Sequence, residues 1–178
     1  PGRTQETPLA HDGVVFLQNS GHVVQALDGA TGDLIWEYSY DPPEGVSANG
    51  QRTKVLYGDN LYIATRDAHL IALDAKSGQV VWDQQVANYE DGFSYSSGPM
   101  AANGVVVAGM TRCSRAQPGG CFITGHDAAS GEQLWRVNTV ASGATPEGRS
   151  WNGIPVESRH GGSAWSTGAY DPDQNRIF

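Results

Sequence analysis

The 178-residue chain carries 19 acidic and 11 basic side chains, a net charge of −8 and an isoelectric point near 4.9. This balance opposes the basic faces that bind nucleic acid. No run approaches the roughly 18 consecutive apolar residues of a membrane-spanning helix. No shift of composition divides the chain, so residues 1–178 read as one unit, and the 23 glycines sit at turn positions rather than in a linker.

In chain order, a turn at Asp12-Gly13 introduces the apolar stretch Val14–Leu17, predicting a strand. A second strand is predicted over Val23–Leu27. It runs into the eleven-residue phrase Ala26-Leu27-Asp28-Gly29-Ala30-Thr31-Gly32-Asp33-Leu34-Ile35-Trp36. The same design returns twice. Asp59-Asn60 introduces Leu61–Ala64, followed by His69–Leu73 and the phrase Ala72–Trp82. Asn103-Gly104 introduces Val105–Ala108, followed by the phrase Gly125–Trp135. Each phrase sets an Asp, a Ser or Thr followed by Gly, and a final Trp at the same offsets. The Asp bonds backbone two residues on, the Gly accepts the positive φ of a tight turn, and a short second strand ends on the indole. Such a Trp can bridge two neighbouring units, burying about 150–250 Å².

The three Trp residues lie 46 and 53 positions apart. A period of about 40–50 residues with several short strands and no helical pattern is the signature of propeller blades. The fold class is all-β: about three blades of a partial propeller. Closed propellers need about four to eight blades, so the chain reads as a piece of a longer protein. The longer third period comes from an insertion between Cys113 and Cys121, the two cysteines of the chain. Two readings stand: a disulfide pinning this loop, worth about 2–3 kcal/mol and formed in an oxidising compartment, or a pair of buried thiols. Two cysteines without spaced histidines fall short of a zinc site. No phosphate loop, HExxH motif or Ser-His-Asp order occurs.

Beyond the repeats stands Gly161-Gly162-Ser163-Ala164-Trp165, followed by Tyr170-Asp171-Pro172 and Asn175. With the Trp phrases, it resembles the pyrroloquinoline quinone (PQQ) dependent alcohol dehydrogenases, eight-bladed periplasmic propellers with tryptophan-docking motifs. The resemblance covers essentially the whole chain and looks like a divergent branch. It implies PQQ as cofactor, with Trp165 as the floor under its ring and Ser163 as a hydrogen-bonding neighbour. PQQ is a flat, electron-poor tricycle with three carboxylates, so it requires an aromatic face and a ring of donors. The resemblance also places Arg52 near the reactive quinone oxygens, where a guanidinium stabilises developing negative charge. It places Ser96, with Ser97 as the alternative, on a PQQ carboxylate, and Gln5 where the family has an acidic contact. The structural alternatives are a fourth docking Trp, a surface Arg and serines that merely shape the turn before Gly98-Pro99.

The sequence departs from the family twice. Asp41–Ser47 lacks the family's vicinal Cys-Cys pair, for which Cys113 and Cys121 are a candidate replacement cap. Gly109-Met110-Thr111-Arg112-Cys113 lacks the family's Glu metal ligand, which puts calcium in doubt, since calcium takes about six to eight oxygen ligands. Arg112 is a candidate to neutralise a quinone carboxylate in its place. Trp151 reads as a loop anchor, with the substrate entrance as the alternative, His126 as a satisfied, partly buried core residue, His160 as a structural residue, with the pocket as the alternative, and Asp171 as a turn residue.

The resemblance therefore implies a periplasmic quinoprotein oxidoreductase. It would oxidise an alcohol or other hydroxyl-bearing substrate by hydride transfer to PQQ and pass electrons to cytochrome c or another acceptor. The chain would be part of the N-terminal half, inactive alone, with the Asp base and Asn metal ligand in later blades. Two alternatives remain from other classes. One is a non-catalytic scaffold resembling the outer-membrane assembly lipoprotein, which uses its rim to bind proteins. The other is a quinone-binding protein without catalysis.

Overall fold

The structure is a computed structural model and describes residues 6–47, 52–113, 120–143 and 145–178. It contains three four-stranded antiparallel sheets and a closing hairpin. The first blade comprises β1 (Leu9–His11), β2 (Val14–Asn19), β3 (Val23–Asp28) and β4 (Leu34–Ser39). The second comprises β5 (Val55–Tyr57), β6 (Asn60–Ala64), β7 (His69–Asp74) and β8 (Val80–Gln85). The third comprises β9 (Met100–Ala102), β10 (Val105–Gly109), β11 (Phe122–Asp127) and β12 (Gln133–Asn138). β13 (Tyr170–Asp171) and β14 (Arg176–Ile177) then pair as a two-stranded sheet. The sheets do not close into a ring, so the chain is a partial propeller. Among the described residues there is one α-helical turn, α1 (Pro146–Arg149), capped by Thr145, whose side chain accepts from the Gly148 amide.

Each phrase forms the hairpin from the third to the fourth strand of its blade. Asp74 Oδ1 accepts from the Lys76 and Ser77 amides and from the Ser77 hydroxyl at 2.7–3.1 Å. Asp28 and Asp127 receive the corresponding amides. These bonds hold all three carboxyls below their ordinary value. The glycines at 32, 78 and 131 take φ of 78°, 73° and 76°, the left-handed region open to Gly. Just before each turn the ladder slips by one residue, at Ala26/Leu27, Ala72/Leu73 and Gly125/His126. The strand does not stop at the indole, contrary to the sequence reading. Glu37–Ser39 continue the ladder against Val23–Gln25, and β8 and β12 do the same in their blades.

The Trp residues join the blades. Trp36 Nε1 donates to the Ala75 carbonyl and Trp82 Nε1 to the Ala128 carbonyl, each at 3.0 Å. Their rings lie against Gly78 and Gly131, where an added Cβ would fall 2.6–2.7 Å from ring carbon. Around these contacts are two cores. One, with Phe16, Trp36, Leu61 and Leu73, fills the space between blades one and two. The other, with Tyr62, Leu70, Tyr95, Val106 and Phe122, lies between blades two and three. Trp135 is 37% exposed.

The short strands β1, β5 and β9 were not individually legible in the sequence, yet they position the site. The segments that run into β5, β9 and β13 gather at one end of the sheets. Thr53 Oγ1 accepts from the Gly98 amide at 3.0 Å, and the Thr167 hydroxyl meets those of Thr53 and Ser97 at 3.1 and 3.0 Å. Gly98 has no room for a side chain, because a Cβ there would overlap Thr53.

Candidate functional site

At this end the three incoming segments and two inter-strand turns enclose an open cleft of about 260 Å³. Arg52 enters ahead of β5, Ser96 ahead of β9, and Ser163 and Trp165 ahead of β13. Arg66 comes from the β6–β7 turn, and Thr111 with Arg112 from the segment after β10. The structure thus brings together Arg52, Ser96, Ser163 and Trp165, four residues separated by up to 113 positions in the sequence. Gln5 lies outside the described residues. Ser97 faces Thr167 instead of lining the cleft, so of the two serines only Ser96 reaches it.

Arg52 organises one wall. Its Nη1 donates to the carbonyl and hydroxyl oxygens of Ser96 at 3.4 Å, and its guanidinium carbon stands 5.5 Å from the centre of the Trp165 ring. Trp165 is 59% exposed, unlike the docked Trp36, and presents its ring to the cleft. The Gly161-Gly162 pair explains how it gets there. Both take positive φ, 109° and 65°. A side chain at Gly162 would overlap Thr139, and the Gly161 carbonyl accepts from the Cys121 amide at 3.3 Å. The chain then continues along β10, the Ala164 amide donating to the Met110 carbonyl at 3.1 Å. Gly109 leaves space for this passage, since a Cβ there would strike Ala164.

Two arginines complete the site. Arg66 was not singled out in the sequence, although a signal was present: Thr65-Arg66 and Thr111-Arg112 follow the second strands of successive blades. Both threonines are fully or nearly fully buried. Thr65 Oγ1 donates to Asp67 Oδ1 at 2.5 Å, and Thr111 Oγ1 to the Ser94 carbonyl at 2.7 Å. Burial, then the positive charges of Arg112 and Arg52, push the Arg66 guanidinium below its ordinary value. Arg112 is exposed and sits in left-handed backbone with φ of 52°. A second open cleft of about 430 Å³ adjoins on the far side of Arg66 and Arg112, under the Glu44–Ser47 loop.

Beside the cleft, Lys54 and Glu6 form a buried ion pair that ties the start of the first blade to that of the second. Burial pulls Lys54 down to about 8.

The remaining sequence candidates have other places. Cys113 and Cys121 form a disulfide with Cα atoms 5.3 Å apart. It belongs to the core beside Phe122 and does not cap the cleft, correcting the expectation of a replacement for the vicinal pair. Trp151 packs under the Arg159 guanidinium at 5.7 Å. His126 is fully buried, with Nδ1 donating to the Gly131 carbonyl at 2.9 Å and Nε2 without a partner among the described residues. Burial, outweighing that bond, lowers its basicity. It is therefore more deeply buried and less satisfied than expected. His160 Nδ1 bonds the Ser158 carbonyl and does not line the cleft. Asp171 Oδ1 accepts from the Asp173 and Gln174 amides, as a turn residue does.

The chemistry of the lining is clear. An exposed indole, three hydroxyls and three guanidiniums suit a flat aromatic ligand that carries several carboxylates, so PQQ fits. For a divalent cation this chain offers few ligands. No carboxylate lines the cleft among the described residues, and they contain no cluster of three or more His, Cys, Asp or Glu. No described helix is long and apolar enough to cross a membrane.

Comparison with known proteins agrees with the fold. Residues 1–146 match a repeat family described as outer membrane protein assembly factor BamB. Quinoprotein and quinohemoprotein alcohol dehydrogenases match at 27–32% identity over nearly all of the chain. Quinohemoprotein alcohol dehydrogenase ADH IIB of Pseudomonas putida is 31% identical over 98% of this chain and 27% of its own length. The structure of quinohemoprotein alcohol dehydrogenase ADHIIG from Pseudomonas putida superposes with a TM-score of 0.81 at 29% identity, covering 97% of this chain and 27% of that one. BamB from Moraxella catarrhalis superposes less closely, with a TM-score of 0.55 at 20% identity over 76% of this chain and 37% of its own, a likeness of fold alone. The chain spans about a quarter to a third of the length of the dehydrogenases it matches. It belongs to the PQQ-type propeller repeat family and is homologous over nearly all its length to the quinoprotein alcohol dehydrogenases.

Proposed function

We propose that this chain builds the cofactor-facing wall of a PQQ-dependent dehydrogenase that oxidises alcohols or related hydroxyl-bearing substrates. The observation that carries this reading is the convergence of Arg52, Ser96, Ser163 and Trp165, from three separate incoming segments, on one cleft. When bound, the quinone supplies a two-electron acceptor for the hydride of a hydroxyl-bearing carbon. The residues of this chain position and polarise. Trp165 offers a face for stacking, worth about 0.5–1.5 kcal/mol beyond burial. Ser96 and Ser163 offer short donors to the ligand edge. Arg52, fixed by Ser96 and Trp165, holds a permanent positive charge where an oxygen of the ligand would lie. The proton acceptor belongs to parts of the protein beyond this chain. The reading includes a periplasmic location, consistent with the disulfide, and a cytochrome c or similar electron acceptor. A closed ring is required, because the sheets of this chain do not close by themselves.

The test is a PQQ titration of the complete protein containing this segment, followed by tryptophan quenching and quinone absorbance, with Trp165→Ala alongside. The expected result is saturable one-to-one binding, weakened about tenfold by the substitution. Absence of binding would overturn the proposal and leave the scaffold propeller as the function.

A further inference from the structure

Arg66 and Arg112 come from comparable segments of successive blades, Arg66 two residues beyond β6 and Arg112 three residues beyond β10, each directly after a buried threonine. Thr65 and Thr111 are bonded to Asp67 and to the Ser94 backbone, so the backbone that carries each guanidinium is fixed before any ligand arrives. Arg112 is further held by its neighbour Cys113, whose disulfide to Cys121 anchors the segment in the core. Both side chains line the same cleft as Arg52. Arg66 feels the positive charges of both Arg112 and Arg52, and a cation placed among them would add to that repulsion. A polyanion would lower it.

We propose that Arg66 and Arg112 take the place of a divalent cation in this cleft, binding carboxylates of a planar aromatic polyanion directly, so that the ligand binds without metal. The inference rests on the quinone-binding reading above and adds to it the charge-neutralising residues and the cation requirement. The three guanidiniums equal in number the three carboxylates of PQQ, and each guanidinium presents a planar fork that matches a carboxylate edge. The missing acidic residue after β10 then has a physical meaning: the segment carries a positive group where a metal ligand would be negative.

The experiment uses the complete protein and PQQ as the probe, with affinity read by tryptophan quenching. It is run after exhaustive chelation, with added calcium and with an added lanthanide. Affinity is expected to be unchanged across the three conditions. Arg112→Gln and Arg66→Gln should each weaken binding about tenfold, equivalent to about 1.4 kcal/mol. A neutral aromatic quinone without carboxylates should be indifferent to both substitutions. In the absence of ligand, Arg112→Gln should not lower the thermal midpoint, because it removes one of three repelling charges from an exposed position. Binding that disappears on chelation and returns with calcium would overturn the inference while leaving the quinone reading intact. So would undiminished affinity in both variants. No binding under any condition would overturn both readings.

Discussion

At the scale of single residues, the site was half legible. Arg52 and Trp165 could be found because each stands in a distinctive local string, Asn49-Gly50-Gln51-Arg52 and Gly161-Gly162-Ser163-Ala164-Trp165. Arg66 was hidden because its string, Ala64-Thr65-Arg66-Asp67, looks like any polar turn; only its recurrence as Thr111-Arg112 one blade later sets it apart. Lys54 and Glu6 were hidden for another reason. Nothing local marks a charged residue as buried, and the partner lies 48 positions away. The pair yields a clear prediction. Lys54→Ala strands Glu6 without a counter-charge and should cost about 3–5 kcal/mol of stability. The double variant Glu6→Ala/Lys54→Ala should recover a large part of it. Urea unfolding of the two variants and the wild type checks both statements through a double-mutant cycle.

At the scale of the element, the Asp–Ser/Thr–Gly turn and the Trp after it act as two halves of one joint. The turn was readable because its chemistry is local: an acceptor, two amides and a glycine within five residues. The length of β4, β8 and β12 was not, because Glu37–Ser39 and their counterparts are extended by partners in another strand and carry no pattern of their own. Removing the indole in Trp82→Ala deletes the bond to Ala128 and opens a cavity against Gly131. The expected loss is about 3–5 kcal/mol, measured by denaturant unfolding. Gly131→Ala should destabilise as well, since the methyl meets the Trp82 ring and φ is positive. The turns also set an acid limit. Asp28, Asp74 and Asp127 have carboxyls held below 3.8 by the bonds they accept. Their contribution is complete above pH 3.8 and declines as pH falls through the lowered folded-state values. An Asp74→Asn variant should show a flatter loss of stability in that acid range, followed by circular dichroism.

At the scale of the whole molecule, charge is unevenly arranged. The chain has a net charge of −8, yet its cleft collects three guanidiniums. A local positive field within a negative surface guides an anionic ligand to one place. The association rate of PQQ should therefore fall as ionic strength rises, as stopped-flow quenching would show. The disulfide is the other long-range constraint. Cys113 and Cys121 close a loop of sequence separation 8, and replacing both by Ser should cost about 2–3 kcal/mol, read from thermal or urea unfolding. The architecture at this scale was the most legible part of all, because a repeat states its fold several times over. The convergence of the incoming segments was not, since Thr53, Ser97 and Thr167 become neighbours only when the sheets are set around a common axis.

The direction of the tryptophan joints has a consequence for how the protein is made. Trp36 is satisfied by Ala75, 39 residues later, and Trp82 by Ala128, 46 residues later. Each blade is thus completed by the one synthesised after it. During synthesis the N–H of each of these two indoles waits for a carbonyl of the following blade, and stability accrues one neighbour at a time. A ribosome that pauses between blades leaves a single adhesive ring waiting for a carbonyl that has not yet been made.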